Sequence, residues 1–259
     1  VRAYYEIEEA ALNSWPALQT SSCGGWLVKS NRGYTKRSNS VQPLAHLAGG
    51  QELLDAKIRR CEAIYRQTGQ PAIFKITPFA EPAELDAELA RRGYRIADPS
   101  IVMTADIGEL EPESAGADAL VSGHPTAAWL RLMQEWGGCG EEALRLTEMM
   151  FEASTLPCHF ALLHAEGRPV SLGLAVLDGR LLGFYDIMTA PECRGRGYGR
   201  RLLRHLLHWG REQGAEQAYL QVVSGNKAAE RLYAGLGFRE AYPYWYRVQQ
   251  GEPVKSLLG

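Results

Sequence analysis

The sequence predicts a mixed α/β (α+β) chain of two consecutive halves, each a central sheet flanked by helices. Three observations carry this. The C-terminal half reads as a strand meander followed by helix, strand, helix and strand. The N-terminal half repeats the later part of that order. Between them, Gly108-Glu-Leu-Glu-Pro-Glu-Ser-Ala-Gly-Ala117 is rich in breakers and lacks apolar periodicity, as a linker would be. The expected domains are residues 1–107 and 118–259, each of ordinary domain length.

In the C-terminal half, Thr126–Trp136 and Glu141–Glu152 carry apolar residues at helical spacing. Phe160–His164 and Val170–Leu177 read as strands around the turn Glu166-Gly-Arg-Pro169. Asp178-Gly179 signals a two-residue hairpin into a third strand, Leu181 to about Thr189. A helix follows over Gly199–Glu212, its buried face made by Leu202, Leu203, Leu206, Leu207 and Trp209, with Gly214 ending it. Strand Gln217–Val223, helix Asn226–Gly235 and a strand pair around Arg239–Val248 complete the half.

In the N-terminal half, Gly25–Ser30 and Gly33–Ser38 read as a hairpin, Glu52–Gln67 as a helix, Pro71–Ile76 as a strand, Glu81–Arg92 as a helix and Tyr94–Asp106 as a strand. The distance from Gly69 to Gly93-Tyr94 matches that from Gly214 to Gly237-Phe238 to within a residue. Leu89-Ala-Arg-Arg-Gly-Tyr94 and Leu232-Tyr-Ala-Gly-Leu-Gly-Phe238 read as versions of one helix-to-strand turn, which implies an internal duplication.

Composition narrows the function. With 46% hydrophobic and 22% charged residues the chain is of globular type. A net charge of −2 offers no basic field for nucleic acid or an anionic membrane, so neither is an expected partner. The five cysteines, Cys23, Cys61, Cys139, Cys158 and Cys193, are scattered and form no CxxC pair, so reduced thiols are expected and no metal site. Val1–Leu18 lacks a signal-peptide pattern and no apolar run approaches the ~18 residues of a membrane span, so a cytoplasmic location is expected.

The chemistry concentrates in Thr189-Ala-Pro-Glu-Cys-Arg-Gly-Arg-Gly-Tyr-Gly-Arg-Arg201, which joins a strand to a helix. Gly195, Gly197 and Gly199 permit positive φ and close approach of a ligand to backbone N–H groups. Those groups face outward at a helix N-terminus, where the dipole favours an anion. Arg194, Arg196, Arg200 and Arg201 add charge suited to phosphate. A Walker loop is excluded because Arg200-Arg201 follows Gly199, and a dinucleotide fingerprint because the spacing is GxGxG.

Arg194-x-x-Gly197-x-Gly199, followed by Asn226, Leu232-Tyr233 and Leu236-Gly237-Phe238, resembles the GNAT family of N-acetyltransferases over roughly Phe160–Val248. The resemblance implies two tandem GNAT-like domains, the first degenerate, and acetyl-CoA as cosubstrate without a metal. It implies a splayed strand pair with main-chain groups of Ile187, Met188 and Thr189 toward the pantetheine arm. It further implies that N–H groups of Gly195, Arg196, Gly197, Tyr198, Gly199 and Arg200 hold the pyrophosphate, that Asn226 contacts the cofactor arm, and that Tyr233 sits near the thioester sulfur.

Acyl transfer to an amine needs a neutral nitrogen, a stabilised oxyanion and a proton for the leaving thiolate. Tyr233 is the candidate general acid, against a plain core aromatic. A backbone N–H within Ile187–Thr189 is the candidate oxyanion donor. Relatives acting on ribosomal-protein N-termini carry a glutamate where this chain has Gln221, so the base is open. Asp186 is the substitute candidate, with a structurally paired carboxylate as its alternative. His205 and His208 are expected on the exposed side of their helix, and Cys193 as a bystander.

Aligning the helix-ending glycines sets Gly49, Glu52 and Leu54 against Arg194, Gly197 and Gly199. Acidic residues at that helix start repel a pyrophosphate, so only one cosubstrate site per chain is expected. Tyr34–Ser40 reads as a solvated edge strand or an acceptor contact, and Trp136–Gly140 as a flexible lid. Three functions stay open: an acetyltransferase for a small-molecule or peptide amine, a non-catalytic acyl-CoA sensor, and a tandem domain binding another anion. A monomer or homodimer is expected.

Overall fold

A computed structural model of the chain describes residues 2–45, 50–110 and 119–250. In chain order the elements are helix α1 (Arg2–Ser14), strands β1 (Gln19–Cys23), β2 (Trp26–Ser30) and β3 (Val41–Gln42), helix α2 (Gly50–Gln67), strand β4 (Ile73–Ile76), helix α3 (Leu85–Arg91) and strand β5 (Arg95–Asp106). There follow strand β6 (Ala119–Ser122), helices α4 (Ala127–Gly137) and α5 (Glu141–Glu152), and strands β7 (Cys158–Ala165), β8 (Arg168–Asp178) and β9 (Leu181–Thr189). Helix α6 (Tyr198–Glu212), strand β10 (Gln217–Val223), helix α7 (Lys227–Ala234) and strand β11 (Arg239–Val248) close the chain. The linker expected at 108–117 falls mostly on residues outside the described set, as does Gly49.

Two compact units emerge. One comprises 1–16 and 101–241, the other 17–100 and 242–257, so the chain passes from unit to unit within β5 and within β11. The expected strand pair at 239–248 is instead the single long strand β11, because its two parts serve different units.

The first unit carries the strand order β5-β10-β9-β8-β7-β6. Strands β7, β8 and β9 form an antiparallel meander. Glu166 and Gly167, at φ 53° and 76°, make the tight turn between β7 and β8. The β8–β9 turn falls on Gly179-Arg180, because Asp178 pairs with Leu181. Helix α4 starts where Thr126 Oγ1 accepts the Trp129 N–H, and stops at left-handed Gly138. Leu202, Leu203, Leu206 and Leu207 of α6 pack on Leu182, Phe184, Ala218 and Leu220. Each such buried side chain contributes about 1.5–3 kcal/mol. At Gly210 any side chain would collide with Leu182, so glycine lets α6 lie close to the sheet.

Helix α1, which sequence reading left unassigned, packs on β8 and β9 of this unit. Trp15 stacks on Tyr185 at 5.2 Å and meets Phe151 edge-on at 5.6 Å. The expectation of an exposed His205 is corrected: it is half-buried, its Nε2 lies 3.0 Å from His159 Nε2, and His159 stacks on Trp209 at 4.6 Å. The helix turns this face toward β7 rather than to solvent. Burial, then the His205 charge, pushes the His159 imidazole down to about 4, so His159 is neutral at pH 7; burial also lowers His205.

The second unit has the order β1-β2-β3-β4-β11. Its hairpin joins β1 to β2 through Gly24 and Gly25, both at positive φ, rather than pairing 25–30 with 33–38. Two consecutive positive-φ glycines suit a hairpin turn better than the single Gly33 does. Tyr34–Ser40 is not a solvated edge strand either, since Tyr34, Ser38, Asn39 and Ser40 are buried. Its polar groups are satisfied locally: Ser38 Oγ donates to Tyr34 O, and Asn39 Oδ1 accepts the Asn31 N–H at 3.0 Å. Helix α3 is a turn shorter than expected because Pro82 restricts the residue before it and supplies no N–H. Leu54, Ile58, Cys61 and Tyr65 of α2 face Phe74, Leu89 and Tyr94.

Both units end their helices in the same way. After α2, Gly69 N–H bonds Arg66 O and Gln70 N–H bonds Tyr65 O; after α6, Gly214 N–H bonds Arg211 O and Ala215 N–H bonds Gly210 O. After α3, Gly93 N–H bonds Ala90 O and Tyr94 N–H bonds Leu89 O. After α7, Gly237 N–H bonds Ala234 O and Phe238 N–H bonds Tyr233 O. Leu89 therefore stands where α7 has Tyr233. The parallel neighbours β3 and β4 match β9 and β10.

Strand β11 is anchored in the second unit by Asp86, which accepts from Arg247 Nε at 2.8 Å, from its terminal nitrogen at 2.9 Å, and from the Trp245 indole at 2.8 Å. The Arg247 bond above all holds this carboxyl below the usual carboxylate range. Its stabilisation is present above the unfolded pKa of about 3.9 and is lost as pH falls through the lower folded value. We expect Asp86→Asn to cost about 1–2 kcal/mol at neutral pH. In urea titrations the difference from wild type should shrink below about pH 4; a difference independent of pH would refute the anchor.

Candidate active site

The site begins with a strand pair that stops pairing. Strands β9 and β10 are parallel neighbours from Gln217↔Leu181 to Leu220↔Phe184, and the ladder ends there. On its other side β9 shifts register against β8 between Leu172↔Met188 and Leu174↔Tyr185. The extra residue is accommodated at Asp186, whose φ of 50° turns the strand. A bulge kinks the strand that carries it, so β9 leaves β10 over residues 185–189.

A cleft of about 670 Å³ opens in this unit, lined by β9 residues Ile187, Met188 and Thr189 and by the strand-to-helix loop. From that loop come Arg194, Gly195, Gly197, Tyr198, Gly199 and Arg200, and from the following segment Asn226 and Tyr233. Gly197 at φ 83° is the N-cap of α6 with no side-chain cap, so the first-turn N–H groups of α6 face the cleft without a capping acceptor. Cβ atoms on Gly195 and Gly197 would meet nothing within 4 Å, which places both beside open space. An anion suits this cradle.

The arginines divide their work. Arg194 Nε donates to Thr189 O at 3.4 Å, and an Arg200 guanidinium nitrogen donates to Gly235 O at 2.9 Å, at the C-terminal end of α7. Arg196 is not among the cleft-lining residues; its guanidinium lies 5.7 Å from the Tyr198 ring centre. Of the β9 carbonyls, that of Met188 accepts from Ser171 Oγ at 2.6 Å.

Tyr233 is buried, and burial pushes its phenol up to about 12. It therefore stays protonated through the neutral range, the form a general acid requires. Asn226 Oδ1 accepts the Ala229 N–H at 3.2 Å, so this side chain also caps α7. Gln221 is half-buried on β10. Asp186 is half-buried and outside the cleft lining; burial, then the nearby Asp186 charge, raises the Cys139 thiol. In the expected lid at 136–140 the Gly138 N–H is bonded to Gln134 O and Cys139 is buried, while Gly137, Gly138 and Gly140 are exposed and Trp136 lines the cleft. Cys193 is fully buried beneath the loop.

Sequence reading missed Trp136, Arg231 and Leu232 as cleft residues. Leu232 had a signal, since it precedes Tyr233; Trp136 had none, because a helical aromatic reads equally as core. Among the described residues no group of three or more His, Cys, Asp or Glu is placed to hold a metal ion, and no helix is long and apolar enough to cross a membrane.

Comparison with known proteins gives this geometry a family. Residues 3–247 match the family described as probable histone acetyltransferase Rv0428c, C-terminal. The chain is 32% identical over 250 residues to an uncharacterized N-acetyltransferase, YobR, of Bacillus subtilis (strain 168), covering 95% of this chain and 98% of that one. In fold it is similar to a GCN5-related N-acetyltransferase from Kribbella flavida, with a TM-score of 0.72, 15% identity and 95% of each chain covered. A tandem GNAT protein from the clavulanic acid biosynthesis pathway aligns with a TM-score of 0.63 and 12% identity, over 95% of this chain and 89% of that one. GNAT acetyltransferases use acetyl-CoA. The chain belongs to the Rv0428c C-terminal acetyltransferase family and is an N-acetyltransferase of the GNAT class.

Proposed function

We propose that the enzyme transfers the acetyl group of acetyl-CoA to a primary amine of a small molecule, amino acid or peptide by direct attack, from a single site built on residues 118–259. The observation that carries this is the opening of β9 from β10 directly beside the glycine-capped start of α6, with Tyr233 in the same cleft. Acetyl-CoA supplies an activated thioester carbonyl. N–H groups of residues 195–200 hold the pyrophosphate, and main-chain groups of Ile187, Met188 and Thr189 orient the pantetheine arm. A backbone N–H of that same stretch stabilises the oxyanion. Asn226 borders the arm while capping α7. The Tyr233 hydroxyl gives its proton to the leaving sulfur.

Asp186, beside Cys139 and outside the cleft lining, is the base of this reading and takes the amine proton through a water. The enzyme then works in the cytoplasm as a monomer or homodimer.

The N-terminal half is a degenerate copy of the same domain. Its support is the shared order β3-α2-β4-α3-β5 and β9-α6-β10-α7-β11, with the same helix-ending hydrogen bonds in both. Glu52 sits in the first turn of α2, the place where α6 has no acidic residue, and Leu89 stands in the position of Tyr233.

Thiol release from acetyl-CoA, run with a panel of amines, tests the chemistry. Tyr233→Phe should lower kcat about a hundredfold while leaving acetyl-CoA affinity within a factor of about two. The wild-type rate should show no alkaline loss from Tyr233 between pH 7 and 9, since its pKa is about 12. Unchanged kcat in the variant would remove Tyr233 as the acid, and tight binding without turnover of any amine would make the chain a sensor. Gly197→Glu puts a carboxylate where the pyrophosphate belongs, at φ 83°. Calorimetry should show at least about a hundredfold weaker acetyl-CoA binding. Calorimetry on wild type should also return one acetyl-CoA per chain; two would mean the N-terminal copy is intact.

A further inference from the structure

A buried chain of hydroxyl groups links β9 and β10 beside the last rungs before they part. Tyr219 pairs with Gly183, one rung before the ladder ends at Leu220↔Phe184. Its ring lies over Gly183, where a Cβ would come within 2.5 Å of the Tyr219 oxygen. Only glycine at 183 lets that ring lean along the sheet. The phenol oxygen so placed is 2.8 Å from the Tyr185 hydroxyl and donates to Ser14 Oγ at 3.1 Å. With the Tyr219 proton committed to Ser14, the Tyr185 hydroxyl donates to Tyr219. The order is Tyr185, Tyr219, Ser14, all three buried.

Each member holds a different part. Tyr185 precedes the bulge residue Asp186, and its ring is clamped from outside by Trp15. Tyr219 belongs to the strand that continues straight. Ser14 and Trp15 come from α1 and its end, far away in sequence but part of this unit. A ladder's terminal rung beside an opening is its weakest, because it is supported on one side only. A satisfied buried hydrogen-bond chain flanking that rung, from Tyr185 just beyond it to Tyr219 just before it, stops the opening from running further back.

We propose that Ser14, Tyr219 and Tyr185 are positioning residues that fix the vertex of the β9–β10 opening, and thereby set Ile187–Thr189 at the spacing needed to grip the pantetheine arm. The role rests on the acetyl-CoA site described above. It acts on the arm of the cosubstrate and not on its nucleotide, which meets the α6 loop instead. Helix α1 is on this view part of the acyl-transfer machinery.

The test separates those two parts of the ligand. Tyr219→Phe, Tyr185→Phe, the double variant Tyr185→Phe/Tyr219→Phe and Ser14→Ala are titrated by calorimetry with acetyl-CoA and with adenosine 3′,5′-bisphosphate, and each is melted thermally. Tyr219→Phe should bind acetyl-CoA about tenfold more weakly and the bisphosphate as wild type does. The double variant leaves no orphaned hydroxyl between the strands, so its melting temperature should recover toward wild type while acetyl-CoA binding stays weak. Equal weakening of both ligands, unchanged acetyl-CoA affinity, or affinity that recovers together with stability would each overturn the role. Should Tyr219→Phe not fold, Ser14→Ala keeps both rings and carries the same expectation. A wild-type protein that binds the bisphosphate but not acetyl-CoA would overturn the acetyl-CoA site itself, and this role with it.

Discussion

A strand can be hydrogen-bonded to two neighbours only while it stays straight between them. β9 gives up this condition at Asp186, where one extra residue against β8 turns its course and ends its ladder to β10. Polar backbone on the inner edge of β9 is then turned toward an open cleft, where water or a ligand must take the place of a strand. The other parts of the site follow from that divergence. Helix α6 begins where β9 leads after its turn, so its uncapped N-terminus opens on the cleft, and α7 carries Tyr233 in from the β10 side.

Charge and apolarity are separated along the cleft. Toward the loop, Arg194 and the N-terminus of α6 favour an anion. Toward the strands, the lining is Ile187, Met188, Leu232 and the buried Tyr233. Such an arrangement fits a ligand that is anionic at one end and neutral at the reacting end. It also explains why the tyrosine stays protonated, since no cation is needed beside it and burial alone raises its pKa. Arg200 lines the cleft, yet its guanidinium is turned to the end of α7, where it donates to Gly235 O.

Much of this was legible in the residues themselves. The strands of the meander, α5, α6 and β10 follow from periodicity and turn chemistry, and the glycine loop from its arginines and its place before a helix. Elements whose formation depends on distant partners were not legible. The two residues of β3 exist because β2 and β4 flank them. Tyr34–Ser40 is buried because its own side chains satisfy its backbone, a pattern that composition alone reads as solvated. His205 was placed outside because helical periodicity does not reveal that β7 presents His159 and a route to Trp209. The bulge at Asp186 left no mark either, for it is a mismatch of count between two strands rather than a property of one.

The passage of β5 and β11 between the two units has an evolutionary side. The segment of β5 from Ile101 lies beside β10 in the unit that holds the cleft, while β11 from Tyr242 completes the sheet around β4. Cutting the gene between the halves would take β5 from one unit and β11 from the other, leaving β10 and β4 as unprotected edges. The N-terminal half is therefore needed by the unit that holds the cleft, because residues 101–106 of its last strand belong to that unit. Substitutions that weaken this strand would be felt beside β10, in a unit to which residues 17–100 do not belong.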